Sequence, residues 1–315
     1  MYGERLRELL AREEILQCPG VHDPLTAAVA DAVGFDAIYM TGYGTSLSKT
    51  GYPDAGFVTM PEMIENARNV QERVDVPVIA DADNGYGNAT NVVRTVREYV
   101  KAGVAGIHIE DQTFPKRCGH TTGRQLVSRQ EAAGKIAAAA DVRDERDESF
   151  VLIARTDARG ATGGSLADAL DRVRAYLDAG ADVAFVEGPT DEEEVRRIGR
   201  EIDAPLLYNC VGESGVSPYV DPEDLQRFGY DVVIYPLAST LATIAGTYEA
   251  LSAFERDGVD ALADLDERFG DLPLGDVHEF SGFGRVVEWE REYMPAEEQE
   301  KYEGSIGRNV DRSDR

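Results

Sequence analysis

The stretch VPVIADAD, residues 76–83, is apolar and β-rich until it breaks off in two aspartates. Its length and nearly unbroken apolar character suit a strand buried on both faces of a parallel sheet. The pattern recurs at ILQCPGV (15–21), DAIYMTG (36–42), GIHIEDQ (106–112), FVLIART (150–156), VAFVEG (183–188), APLLYNCV (204–211) and VVIYPLAS (232–239). Amphipathic helical patterns lie between these runs, such as NVVRTVREYVKAG (91–103) and SLADALDRVRAYLDAG (165–180). The second opens on Ser and closes on Gly, the usual order of helix start and stop signals. Strand and helix alternating eight times in about 250 residues predict an α/β fold, a (β/α)8 TIM barrel. An open doubly wound sheet would need a Gly-rich phosphate turn after its first strand, and PGVHDPLT (19–26) is not one.

Beyond residue 250 the pattern turns helical, in GVDALADLDERFG (258–270) and DVHEFSGFGRVVEWEREYM (276–294). One barrel domain with additional C-terminal helices is expected over 1–296, followed by a charged, apolar-poor and flexible tail over 297–315.

The chain has 315 residues, 43% of them hydrophobic, an ordinary fraction for a globular core. Its 59 acidic and 32 basic residues leave a net charge of −27. That balance argues against nucleic acid as a partner, because phosphate binding needs a basic face. Only five of the 32 basic residues are lysines, so 32 − 5 = 27 are arginines. An acidic, lysine-poor surface also suits a high-salt cytoplasm, and a halophilic source is expected. There is neither a signal-peptide pattern nor an apolar run long enough to span a bilayer. The three cysteines, Cys18, Cys118 and Cys210, are too few and odd in number for a disulfide framework. A cytoplasmic protein that does not engage membranes is expected.

In a parallel barrel the reactive groups sit at the carboxyl ends of the strands. Those ends carry Thr41-Gly42, Asp81 and Asp83, Glu110 and Asp111, Arg155 and Asp157, Glu187 and Asn209. So many carboxylates at one mouth repel, and a divalent cation is the simplest neutraliser. Asp81 and Asp83, at i and i+2, project to one side of an extended strand end, with Glu110 from the neighbouring strand. An all-oxygen set points to a hard ion such as Mg²⁺. The competing reading makes the two aspartates caps of the following helix. Arg155 suits a bidentate carboxylate clamp; alternatively it pairs within the barrel with Glu187 or Asp157.

In this lysine- and cysteine-poor chain, PKRCGH (115–120) gathers Lys116, Arg117, Cys118 and His120 just beyond the fourth strand. Cationic neighbours favour a thiolate, so the Cys118 pKa is expected to fall, and a thiol so placed can deliver a proton to a carbanion. Gly119 gives the loop freedom to close. Cys18 and Cys210 lack such neighbours and read as ordinary strand-end residues, and His108, inside an apolar strand, as a satisfied core residue.

YMTGYG (39–44), GYPDAG (51–56), DADNGYG (81–87), HIEDQ (108–112), PKRCGH (115–120) and ARTDA (154–158), in this order and spacing, resemble the isocitrate lyase/phosphoenolpyruvate mutase superfamily. The likeness runs from about residue 13 to about 250 and is closest to the 2-methylisocitrate lyases. It implies a homotetrameric barrel, often with the last helix exchanged between subunits, which uses Mg²⁺ (or Mn²⁺) to cleave a carbon–carbon bond beside a carboxylate. Carried over by motif, Asp81, Asp83 and Glu110 match the metal site, directly or through water. Thr41, Gly42 and Tyr43 match the loop that holds the oxo-acid carboxylate, with Arg155 as clamp. Cys118 matches the catalytic acid, with Lys116, Gly119 and His120 shaping its loop. Tyr39 and Asp54 match positions near the reacting hydroxyl, and Glu187 and Asn209 match ligand-binding positions.

The first expectation is therefore cleavage of a small 2-hydroxy di- or tricarboxylate by a retro-aldol-type reaction, with 2-methylisocitrate, giving pyruvate and succinate, as first choice. Isocitrate, 2,3-dimethylmalate and decarboxylation of oxaloacetate are the alternatives, and a non-catalytic metabolite-binding barrel is a reading of another class. Two departures bear on the choice. NCVGESG (209–215) carries an extra residue relative to the methylisocitrate lyases, and Leu241 stands about where they place an arginine for a distal carboxylate. The end EFSGFGRVVEWEREY (279–293) resembles the 2,3-dimethylmalate lyase branch instead. Arg117 and Arg124 are candidates to replace the missing arginine.

Overall fold

The computed structural model describes residues 1–212 and 215–299. Each apolar run forms a strand: β1 (Leu16–Val21), β2 (Ile38–Met40), β3 (Val78–Asp81), β4 (Gly106–Glu110), β5 (Val151–Thr156), β6 (Val183–Val186), β7 (Leu206–Asn209) and β8 (Val232–Tyr235). They pair in parallel and in sequence order, and β8 closes on β1, so the fold is the expected (β/α)8 barrel.

The helices are α1 (Tyr2–Leu10), α2 (Pro24–Val33), α3 (Gly42–Thr50), α4 (Met60–Arg73), α5 (Ala89–Ala102), α6 (Arg129–Arg146) and α7 (Leu166–Asp178). They continue with α8 (Glu192–Glu201), α9 (Pro222–Phe228), α10 (Ala238–Asp257), α11 (Val259–Gly270), α12 (Val277–Ser281), α13 (Phe283–Tyr293) and α14 (Ala296–Gln299). Ser165 caps α7 as its sequence suggests, accepting a hydrogen bond from Asp168 N–H at 3.1 Å.

Alternation along each strand sorts the core into two layers. In β4, Ile107 and Ile109 face the helices and join the large sheet–helix cluster with Ile136 and Val96. His108 and Glu110, two residues apart, face inward, where His108 meets Tyr39 and Phe185. The interior is otherwise apolar, with Cys18, Ile79, Ile153, Leu207 and Ile234. Helix α1, which the strand pattern did not reveal, adds Leu6 and Leu9 to that inner cluster. Each such side chain contributes roughly 1.5–3 kcal/mol by leaving water.

Strand register sets what converges at the mouth. Asp81 on β3 pairs with His108 on β4, Glu110 on β4 with Arg155 on β5, and Arg155 with Phe185 on β6. The carboxyl ends of β3, β4 and β5 thus bring together two carboxylates, an imidazole and a guanidinium.

The chain divides into a compact unit over Met1–Thr243 and a second beginning at Ile244. Within the second, α11, α12 and α13 contain no buried residue, and Leu262, Leu265 and Trp289 are exposed. Of the tail expected from residue 297, residues up to Gln299 belong to α14, and residues 300–315 lie outside the described residues, as do 213–214 within NCVGESG. Among the described residues no helix is long and apolar enough to cross a membrane.

Candidate active site

Asp81, Asp83 and Glu110 stand at the mouth as expected, and they are buried. Asp81, at the end of β3, accepts hydrogen bonds from Asp83 N–H at 2.8 Å, Gly42 N–H at 3.2 Å and Tyr39 Oη–H at 3.3 Å. It caps no helix: α5 is capped by Asn88, so the capping alternative falls away. Thr41 caps α3 instead, its hydroxyl accepting from Gly44 N–H at 3.3 Å, which sets Gly42 against Asp81 and leaves Tyr43 half-buried in the first turn. Burial opposes ionisation of Asp81, but His108, Lys116 and Arg155 outweigh it and hold the carboxyl down to about 2.

Asp83 adopts a left-handed backbone, φ 48°, a region L-residues enter at a cost of about 1–2 kcal/mol. The turn is fixed by Glu110 N–H donating to Asp83 O at 2.9 Å. Burial, with Asp81 and Asp54 nearby, pushes Asp83 up to about 6 despite Lys116. Lys116 Nζ bridges this cluster, lying 2.6 Å from Asp54 and paired also with Asp83. Burial likewise holds Glu110 well above the usual carboxylate range, against the pull of Arg155 and Lys116.

Arg155 pairs within the barrel, the second of the two readings given for it. Its Nε and Nη2 donate to the two oxygens of Asp157 at 3.0 and 3.1 Å, and Nη2 lies 3.3 Å from Glu187. Its Nη1 makes no hydrogen bond among the described residues and is the group left for a ligand carboxylate. Arg124, buried, donates to Asp157 at 3.1 Å and so braces Arg155 from behind. Glu187 also accepts from Asn209 Nδ2–H at 2.9 Å and lies 3.2 Å from His120 Nε2. His120 Nδ1 accepts Val216 N–H at 3.2 Å, and its Nε2 also lies 3.2 Å from Asn209 Nδ2.

The PKRCGH loop is seated over this network. A Cβ placed on Gly119 would lie 2.7 Å from Glu187 Cγ and closer still to Arg155 Nη2, so glycine is there for close approach. Cys118, half-buried, feels Asp54, Glu187 and Arg155, all groups of the mouth. The expected activation is reversed: burial pushes the thiol up to about 11, with Asp54 and Glu187 adding to it. The cations beside it in sequence are spent elsewhere, Lys116 on Asp54 and Asp83 and His120 toward Glu187, while Arg117 is exposed. Cys118 is a neutral thiol at neutral pH, the protonation state a proton donor requires. Cys18 and Cys210 are buried, and burial raises both.

Two residues take places other than those read from the sequence. His108 lies with Nε2 2.8 Å from Tyr39 Oη and 3.5 Å from Asp81, and its Nδ1 is buried without a partner. Burial pushes it down to about 4, so it is neutral and supports Tyr39 instead of merely filling the core. Asp111, at the end of β4, turns away from the mouth and accepts from Thr156, Tyr176, Arg172 and Asp157 N–H.

The donor set suits a hard cation. Both oxygens of Glu110 are buried without a hydrogen-bond partner, a state that costs about 1–3 kcal/mol and that a cation or its waters relieves. Among the described residues no three His, Cys, Asp or Glu side chains stand as a ready-made ligand cage, and the Lys116 ammonium fills part of the space between the carboxylates.

The sequence profile described as phosphoenolpyruvate phosphomutase matches residues 6–254. A 2,3-dimethylmalate lyase of Eubacterium barkeri is 44% identical over 289 residues, covering 92% of this chain and 97% of the relative. A 2-methylisocitrate lyase of Halalkalibacterium halodurans is 41% identical over 255 residues, covering 81% of this chain and 82% of the relative. The crystal structure of a phosphonopyruvate hydrolase in complex with oxalate and Mg²⁺ superposes with a TM-score of 0.81 at 31% identity, over 94% of this chain and 100% of that one.

Proposed function

The chain belongs to the phosphoenolpyruvate mutase/isocitrate lyase superfamily and is a carbon–carbon lyase of that kind; from this premise we propose that it cleaves a 2-hydroxy dicarboxylate of the 2,3-dimethylmalate class. The observation that carries the reading is a neutral thiol, Cys118, seated on a loop over the Arg155–Glu187 pair. Arg155 Nη1 and the first turn of α3 hold the carboxylate next to the reacting carbon. Tyr39, supported by His108, hydrogen-bonds the hydroxyl oxygen. The hydroxyl proton passes to Tyr39 as Tyr39 gives its own to Asp81; C2 becomes the oxo carbon as the C2–C3 bond breaks with its electron pair going to C3, and the leaving fragment takes the Cys118 proton to form a C–H bond. Asp81, Asp83 and Glu110 would hold Mg²⁺, which would supply positive charge beside the oxygen developing into the oxo group.

The charge inventory favours a dicarboxylate. Lys116 and Arg155 are already engaged by carboxylates, Arg124 is buried against Asp157, and Arg117 is exposed. Leu241, about where the methylisocitrate lyases carry an arginine, brings no charge. Identity of 41% to a 2-methylisocitrate lyase keeps that tricarboxylate as the second reading. The exposed apolar faces of α11 and α13 are consistent with a homotetramer that exchanges these helices, which light scattering tests.

The test is an oxo-acid release assay on 2,3-dimethylmalate, 2-methylisocitrate, isocitrate and oxaloacetate, with and without Mg²⁺ in molar salt. Dimethylmalate is expected to have the highest kcat/KM, and Cys118→Ser to abolish turnover. Full turnover of oxaloacetate by Cys118→Ser would favour a decarboxylase on the same barrel. Absence of release from every compound would leave a metabolite-binding barrel.

A further inference from the structure

We propose that Gln112 is a positioning residue that latches the thiol-bearing loop to the carboxylate turn. Gln112 closes the HIEDQ motif and has no role in the chemistry above, yet it is buried. Its carboxamide grips the backbone of Arg117 at two points: Nε2–H donates to Arg117 O at 2.8 Å, and Oε1 accepts Arg117 N–H at 3.0 Å. A side-chain amide that pairs with both groups of one peptide residue acts as a one-residue strand, and it fixes the residue immediately before Cys118.

The other end of the latch reaches the strained turn. Asn84 Nδ2–H donates to Gln112 O at 3.3 Å, and Asn84 O accepts from Lys135 Nζ at 2.6 Å. Lys135 is buried, although this chain spends only five lysines in all. Asn84 follows Asp83, whose left-handed backbone sets the direction of its carboxylate. Lys135, Asn84, Gln112 and Arg117 therefore form one hydrogen-bonded line from α6, through the 83–86 turn, to the loop. At its base the loop is closed by the Gln112–Leu126 bridge and by Thr113 N–H donating to Gln125 O at 2.8 Å. Those backbone pairs hold the stem, whereas the grip on Arg117 holds the part next to Cys118.

The role assigned to the latch rests on Cys118 as the acid, but its test does not require turnover. In Gln112→Ala, tryptic cleavage after Lys116 or Arg117, identified by fragment mass, should accelerate about tenfold or more, since two part-buried hydrogen bonds no longer hold this segment. Cys118 alkylation should accelerate in parallel, with the urea midpoint within error of the parent. Gln112→Glu keeps the acceptor for Arg117 N–H but sets a second oxygen against Arg117 O, so it should also raise both rates and serves if the alanine variant fails to fold. Parent-like cleavage and alkylation in either folded variant, or increases that merely track global unfolding, would overturn the proposal. If the rates respond as expected while the parent cleaves no candidate substrate, the latch stands and the lyase reading falls.

Discussion

Gly119→Ala offers a direct test of whether the loop is seated as described. Gly119 has an ordinary backbone conformation, so alanine imposes no torsional strain, and its effect is confined to the methyl group. That methyl would sit 2.7 Å from Glu187 Cγ and 3.0 Å from Cδ, and nearer to Arg155 Nη2. Ordinary carbon contacts need about 3.5–4 Å. Neither neighbour can retreat cheaply: Glu187 is fully buried, and Arg155 is held by Asp157 through two hydrogen bonds. Overpacking of this kind costs about 1–3 kcal/mol. A surface loop can escape it by lifting, so the penalty falls on closure and not on global stability. At 1.36 kcal/mol per decade this is a loss of about fivefold to 150-fold in kcat/KM. The melting temperature should stay within a degree or two, and Cys118 alkylation should accelerate. Gly134→Ala is the control, because Gly134 lies inside α6 with open space at its Cβ and should gain about 0.5–1 kcal/mol without kinetic effect. Unchanged kcat/KM with unchanged alkylation in Gly119→Ala would show that the loop does not rest on the Arg155–Glu187 pair.

Other outcomes follow from the same geometry. A thiol pushed up to about 11 should react with iodoacetamide about tenfold faster per pH unit from 7 to 10; a plateau below pH 8 would mean the thiolate is stabilised after all. Asp83, raised to about 6, must lose a proton to ligate a cation, so calorimetric Mg²⁺ affinity should fall about tenfold per pH unit below 6 and release protons; affinity flat from pH 5 to 8 would remove Asp83 from the site. Asp111→Ala removes the acceptor of the buried Thr156 and Tyr176 hydroxyls, while half-buried Arg172 keeps Asp168, and should cost about 1–3 kcal/mol in urea unfolding; no measurable loss would contradict the brace. The charge of −27 predicts a melting temperature that rises in molar KCl, and a flat response would remove the halophilic expectation.

Much of the fold was readable because a barrel strand is buried on both faces and so announces itself as a continuous apolar run. GIHIEDQ became β4 with its polar residues at its end, and FVLIART became β5. Helix α1 escaped notice because its buried positions, Leu6 and Leu9, are embedded in YGERLRELL among charged residues that remain outside. The exposed apolar positions of α11 and α13 carry a helical period but no indication of what they pack against, so the sequence yields the helices and not their partner.

The sequence brought the candidate residues to one mouth but not their electrostatics, and Cys118 shows why. Sequence neighbours are the only charges visible before folding, and they made PKRCGH look like a thiolate loop. Folding sends each cation to the carboxylate that needs it most, Lys116 to Asp54 and Asp83 and His120 toward Glu187. The thiol is left with burial and the net negative field of the mouth, which both act against ionisation. The same redistribution makes Arg155 an ion-pair partner of Asp157 along one edge of its guanidinium, with Nη1 making no hydrogen bond among the described residues. A proton donor built this way needs no nearby base to recharge it while bulk water supplies the proton between turnovers. Its protonated form is set by the pocket, so removing a cation from the loop should disturb loop position more than thiol protonation. Lys116→Met therefore separates the two: position-sensitive alkylation should change severalfold in rate, while the midpoint of its pH profile should stay above 10. A parent midpoint near 8 that rose by a unit or more in Lys116→Met would return control of the thiol to the loop cation and undo the argument.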